Sequence, residues 1–253
     1  MSKAFMKLDP RWWSAQGDYF KEHTLFWLEI LGEENSAPDL VLDLGCGPGR
    51  FTVLLAKRSK LVIAVDVNRE MLMLVKAKRD QLGLSDRIFP VLGDVQNLPF
   101  QDGCADMINS MGTLVHVPNQ QDAINEIHRV VEPGGSIIVD QTNPLSLEFL
   151  WEAFKTLFAS ILFRKRRKQK IFVKTCNLWE FKNLFRQGGL SIEKVKGFQV
   201  IPFLPVFGFS NDAYFLTPLR LTSWLDRLVR KLPLAFLAYN ILITGKVKNE
   251  NNN

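Results

Sequence analysis

A short apolar run that breaks into three glycines constrains this chain most. Leu40–Leu44 has the pattern of a buried strand, Gly45, Gly47 and Gly49 follow at alternate positions, and helix-forming sequence resumes from about Arg50 to Lys57. Glycine accepts left-handed backbone and lets other atoms come close to the main chain. A turn from strand into helix also presents amide N–H groups to a ligand. Many nucleotide-binding α/β units open this way. The dinucleotide fingerprint requires glycine where this chain has Arg50, which disfavours a nicotinamide cofactor.

The rest of the first half keeps the alternation expected of a parallel sheet with crossover helices. Leu61–Val65, Ile88–Leu92, Met107–Met111 and Ser136–Asp140 read as strands, the last entered through a turn at Pro133-Gly134-Gly135. Helices are predicted over Arg69–Leu82 and Asp122–Val131, and an amphipathic helix at Tyr19–Leu31 packs outside the sheet. In the second half, Leu178–Gln187 reads as a helix stopped by a left-handed cap at Gly188-Gly189. Leu190–Val195 and Asn240–Val247 read as two further strands, with a helix around Leu221–Lys231 between them. Leu147–Phe163 carries a broad apolar stripe at helical spacing.

Composition excludes several classes. With 47% hydrophobic and 23% charged residues, the 253-residue chain is an ordinary globular sequence, long enough for one α/β domain with insertions or two small domains. Cys46, Cys104 and Cys176 share no short spacing, so neither a disulfide scaffold nor a CxxC metal site is supported, and no metal is expected. No apolar run reaches the roughly 18 residues of a membrane span. Met1–Gly17 does not read as a signal peptide, and a cytoplasmic location is expected. The net charge of +6 conceals a partition: residues 1–149 carry −6 and residues 150–253 carry +12. A basic half of this kind suits an anionic partner or a solvated face.

Two acids sharpen the reading of the glycine turn. Asp66 ends the second strand, 23 residues after Asp43, where a carboxylate can accept both hydroxyl protons of a ribose. Asp94 follows the third strand in Gly93-Asp94-Val95. With these residues, the stretches VLDLGCGPGRFT, AVDVN, GDVQNLPFQDGCADMI and EIHRVVEPGGSIIVD, within about residues 38–142, resemble the class I S-adenosylmethionine-dependent methyltransferases. The similarity is greatest to the small-molecule subgroup that includes ubiquinone and menaquinone methyltransferases.

That resemblance implies a Rossmann-like α/β fold: a seven-stranded, mostly parallel sheet with helices on both faces, plus helical lid insertions. Residues 1–36 would form a helical cap, and 37–253 the domain, with insertions at about 145–174 and 198–239. The cofactor implied is S-adenosyl-L-methionine, released as S-adenosyl-L-homocysteine. Gly45, Cys46, Gly47 and Gly49 would bracket its methionine part, with Asp43 orienting the amino group directly or through water. Asp66 would hold the ribose hydroxyls, Val67 the adenine face, and Asp94 and Val95 the adenine edge. The backbone of Asn109, Ser110 and Met111 would lie under the reactive methyl, and Tyr19 could close over the cofactor.

Methyl transfer from a sulfonium needs alignment, exclusion of water and sometimes a base. His116, after the fourth strand, is the candidate base; packing or capping the next helix is its competing role. His23 and His128 lie on helices. The fourth strand ends Asn109-Ser110-Met111-Gly112, without the Pro-Pro-aromatic signature of nucleic-acid amine methyltransferases. The aromatic insertions suit a hydrophobic small-molecule acceptor (aromatic, isoprenoid or lipid-like, or a natural product), with O-methylation slightly preferred over N or C. Six cations among residues 164–170, after the 147–163 stripe, suit peripheral membrane contact through 147–170 or a solvated loop. Nucleic acid is a weaker partner, because no aromatics interleave the basic run. The alternatives are an RNA methyltransferase using the basic half and a non-catalytic cofactor-binding adaptor.

Overall fold

The computed structural model describes residues 17–32, 37–150, 172–200, 220–230 and 233–247, with side chains described from Glu22 in the first segment and from Trp224 in the fourth. Seven strands form one sheet: β1 Leu40–Leu44, β2 Leu61–Asp66, β3 Ile88–Leu92, β4 Ala105–Ser110, β5 Val131–Thr142, β6 Leu190–Phe198 and β7 Asn240–Val247. Their order is β3-β2-β1-β4-β5-β7-β6. β1 to β5 run parallel, and β7 inserts antiparallel between β5 and β6. The chain leaves β1 towards β2 on one side and reaches β4 on the other, so a crevice opens at the carboxyl ends of β1 and β4. In open α/β sheets this reversal of strand order is where ligands bind.

Helices cover both faces. α1 Gly17–Gly32, α2 Thr52–Ala56 and α3 Arg69–Gln81 lie on one face, where Trp27, Ile30, Leu55 and Val75 pack with Val41, Met107 and Ile138 of the sheet. α4 Gln120–Val130 and α5 Leu178–Gln187 cover the other, burying Ile124, Ile127, Phe181 and Phe185 against Ile108, Ile137 and Ile243. A further helix, α6, spans Arg220–Val229. Local sequence explains the ends. Asn68 caps α3 by accepting from Glu70 N, and Asn177 with Glu180 forms a reciprocal capping box on α5. The expected fold class is therefore present.

Two expectations need adjustment. β5 is longer than Ser136–Asp140: pairing with β4 starts at Ala105–Val131, and a register shift precedes Met107–Ser136. Pro133-Gly134-Gly135 is absorbed into that irregularity instead of forming a turn ahead of the strand, since the bulge removes the residues that cannot join the ladder. At the end of α5, Gly188 keeps φ −79° and only Gly189, at +76°, is left-handed. As expected, α1 packs on the outside of the sheet, with Trp27 fully buried on its inner side and Leu25 exposed on its outer one. Of the stripe at 147–163, the described residues 147–150 begin a helix, with Phe149 N donating to Ser146 Oγ at 3.1 Å. The remainder, the basic run 164–170 and residues 201–215 of the aromatic stretch lie outside the described residues.

Phe185 is fully buried and meets Phe181 edge-on, with ring centroids 5.4 Å apart. Urea unfolding of Phe185→Ala should show a loss of about 3–5 kcal/mol, whereas Leu82→Ala, at an exposed helix end, should stay within about 0.5 kcal/mol of the parent.

Candidate active site at the carboxyl ends of the strands

The glycine turn is held by backbone hydrogen bonds and takes left-handed backbone at its three glycines. Gly45 N and Cys46 N both donate to Val65 O, at 2.8 and 3.0 Å, and Gly47 N donates to Asp66 Oδ2 at 2.9 Å. Gly45, Gly47 and Gly49 take φ values of 67°, 53° and 78°. A Cβ on Gly45 would sit 2.2 Å from Thr113 Oγ1, whose hydroxyl donates to Leu44 O at 3.0 Å. A Cβ on Gly47 would instead project into open space, as would one on Gly112 (φ 70°) across the crevice. Cys46 is buried beneath the turn, and burial raises its thiol pKa, so it stays protonated.

Beneath the turn lies a closed polar network. Asp43 Oδ2 accepts from Thr52 Oγ1 at 2.5 Å, and its Oδ1 accepts from Asn109 Nδ2 at 2.7 Å. Asn109 Oδ1 in turn accepts from the Trp27 indole at 2.8 Å. α1, α2, β1 and β4 thus meet at one carboxylate. Burial pushes the Asp43 pKa up to about 6, against the opposing effect of the Thr52 and Asn109 hydrogen bonds.

The two downstream acids differ sharply. Asp66 is buried, and burial raises its pKa; Oδ1 accepts from Asn68 N at 2.8 Å and Oδ2 from Gly47 N. Each oxygen keeps a lone pair beyond these bonds. Val67, beside it, is half-buried. Asp94 is exposed and accepts from both the backbone and side-chain nitrogens of Gln96, while Val95 packs into the core.

At the exit of β4, Asn109 and Ser110 are buried, Met111 nearly so, and Gly112 N donates to Asp140 Oδ1 at 2.5 Å. His116 closes a single 3-10 turn, and its Nδ1 lies 3.0 Å from Phe172 O. A carbonyl only accepts, so Nδ1 carries the proton and the neutral ring presents Nε2 as an acceptor. Burial lowers the His116 pKa, partly countered by the Phe172 carbonyl and Asp140, and the ring is neutral at pH 7. Tyr19 lies on α1.

The structure brings Asp43, the glycines, Asp66 and Asn109 to one crevice edge. It turns both Asp43 oxygens inward, onto Thr52 and Asn109. The sequence reading missed Trp27, Thr52, Thr113 and Asp140. A polar Asn109 directly after the apolar Met107 and Ile108 of a central strand was the available sign that such partners exist. Among the described residues, no group of three or more His, Cys, Asp or Glu side chains could hold a metal ion.

An adenosyl ligand with a charged tail fits these residues. The open space over Gly47 and Gly112 leaves room against bare backbone, and Asp66 retains acceptor capacity at the rim. Residues 42–139 match the family described as methyltransferase domain. A demethylmenaquinone methyltransferase of Lactiplantibacillus plantarum is 35% identical over 106 residues, 41% of this chain and 45% of the relative. A ubiquinone biosynthesis O-methyltransferase of Pseudomonas fluorescens is 24% identical over 225 residues, 85% of this chain and 94% of the relative. Among solved structures, the YcgJ protein of Bacillus subtilis superposes with a TM-score of 0.62 at 18% identity, covering 90% of this chain and 99% of that one.

The fold is Rossmann-like, and its matched segment resembles a methyltransferase domain. The chain is similar to demethylmenaquinone methyltransferases over part of their length and to ubiquinone biosynthesis O-methyltransferases over most of theirs. It spans about half the length of the demethylmenaquinone methyltransferases that match at 35% identity.

The buried Asp43 makes stability depend on pH. Its folded pKa lies above the unfolded one, so the folded state binds the extra proton between about pH 4 and 6 and stability falls as pH rises through that window. Urea melts from pH 4 to 7 should show a decline on the order of 1–3 kcal/mol from this group. Asp43→Asn should flatten that slope.

Proposed function

We propose that the protein transfers a methyl group from S-adenosylmethionine to a hydrophobic small molecule of quinone or isoprenoid-like type, with oxygen slightly preferred over nitrogen or carbon as acceptor atom. The observation that carries this reading is the crevice at the strand-order reversal, where a left-handed glycine turn, the buried Asp66 and the β4 exit face one space. When bound, the cofactor supplies an electrophilic methyl that needs no metal for displacement.

In this reading Gly45, Cys46, Gly47 and Gly49 line the methionine part, and Asp66 accepts the ribose hydroxyls. Val67, Asp94 and Val95 bound the adenine, and Tyr19 closes over the ligand. Asp43 supports the turn from below, so it acts on the amino group only through an intermediary. Asn109, Ser110 and Met111 floor the reactive end. His116, neutral and with Nε2 as acceptor, is the base where the nucleophile must lose a proton. A phenolate or stabilised carbanion would need none.

The acceptor class draws support from the relatives' names and from the aromatic insertions. The stripe and basic run at 147–170 support peripheral contact with an anionic bilayer, at roughly 1 kcal/mol per cation near the surface. Among the described residues, no helix is long and apolar enough to cross a membrane.

Incubation with methyl-labelled cofactor and cell extract, followed by fractionation, tests the reaction. Label is expected in the lipid or small-molecule pool; label in RNA would transfer the reading to an RNA methyltransferase, and none anywhere would favour an adaptor. Calorimetry with S-adenosylhomocysteine should show Asp66→Ala binding about tenfold or more weakly, since two charge-assisted hydrogen bonds are lost. His116→Ala should leave that affinity unchanged while lowering turnover on an acceptor that must be deprotonated, by about 10²-fold or more.

A further inference from the structure

A polar line crosses the crevice through α1. Arg50, the residue after the last loop glycine, approaches His23 with Nη2 3.1 Å from Nδ1. A guanidinium only donates, so Nδ1 accepts and the neutral ring carries its proton on Nε2. That nitrogen faces Asp140 Oδ2 at 3.6 Å, and Asp140 Oδ1 accepts from Gly112 N. His23 and Asp140 are each about 97% buried. Phe51 and Phe198 clamp the imidazole, with ring centroids 6.0 and 4.9 Å away. Burial lowers the His23 pKa, with Asp140 opposing and Arg50 and Arg230 adding to the shift, so the ring faces the carboxylate in its neutral form.

We propose that Asp140 is a positioning residue for the methyl-transfer site: through His23 and Arg50 on one side and Gly112 on the other, it sets the glycine turn against the β4 exit. The proposal deepens the methyl-transfer reading and rests on it. The methionine end of the cofactor lies between these walls in that reading, and no covalent bond joins them near the ligand. A shared carboxylate makes the position of α1, the turn and the exit a single arrangement. Gly112 matters because its left-handed backbone aims the amide at Asp140 and leaves open space where a side chain would project.

The test compares Asp140→Ala, Asp140→Asn and His23→Leu in the full chain, below the melting temperature of each. Amide hydrogen exchange is followed at 45–50 and 109–114 without ligand, and S-adenosylhomocysteine affinity is measured by calorimetry. Asp140→Ala and His23→Leu should each speed exchange about tenfold or more in both segments and weaken binding about fivefold or more. Asp140→Asn keeps an acceptor for Gly112 and should restore protection at 109–114 more than at 45–50. His23→Leu leaving 109–114 at its parent rate would overturn the proposal, because the proposed coupling from His23 to that segment runs through Asp140. So would variants that melt lower yet bind with parent affinity. If the parent bound no S-adenosylhomocysteine, the methyl-transfer reading would fall, and the ligand-free exchange would still decide the coupling.

Discussion

A carboxylate sealed beneath a glycine turn organises this molecule. Asp43 is costly to bury, and its two hydrogen bonds, from Thr52 and Asn109, offset that cost. Asn109 spends its own oxygen on the Trp27 indole, so every polar group in the chain of contacts has a partner. Fully satisfied buried networks rigidify what they join. Here they join the ends of β1 and β4, the first turn of α2 and the middle of α1. A leucine at position 43 would avoid the desolvation but strand the Asn109 amide, so the polar solution fixes strand ends that apolar packing would leave to slide.

Above that anchor, strand order opens the crevice and backbone chemistry shapes it. Val65 O accepts from both Gly45 and Cys46, pulling the turn back onto β2, and Asp66 receives Gly47 N. Under the proposed function, the carboxylate that accepts the ribose hydroxyls is therefore built into the turn that lines the methionine tail. Thr113 fills the space a side chain on Gly45 would need and donates to Leu44 O, so the β4 exit also holds β1. Three chain segments far apart in sequence become one wall.

Much of this was legible in the sequence for local reasons. The strands around the turn are apolar runs bounded by glycines and acids, and period and punctuation identify them directly. Asp66 and Gly47 could be paired in advance because the second strand must end beside the first. The Trp27–Asn109 bond joins residues 82 apart and has no local signal. The same is true of His23 meeting Asp140, which depends on the register of α1 over the sheet. Pro133-Gly134-Gly135 misled because a turn signal and a bulge use the same residues. Asp43 was open in a different way: an acid at a strand end can face a ligand or the protein, and only the positions of Thr52 and Asn109 show that both its oxygens bond to the protein.

The crevice has a second side whose chemistry contrasts with the first. Leu145, Leu147, Phe149 and Leu150 follow β5 and are exposed, as are Phe172, Val173 and Trp179 where the chain returns. These stretches are bound together: Asn143 Nδ2 donates to Phe236 O, Cys176 N donates to Thr142 O, and the Trp179 and Phe236 rings lie 6.4 Å apart. Phe172 O is also the carbonyl that fixes the His116 tautomer. An exposed apolar patch of this kind marks an interaction surface more often than an accident of packing. Under the proposed function, acidic and backbone groups grip a charged, water-soluble cofactor from the β1–β3 side, while an apolar rim on the β5 side suits an acceptor that prefers oil to water. In that same reading, His116 stands at the join between the two and is the base for an acceptor that must lose a proton.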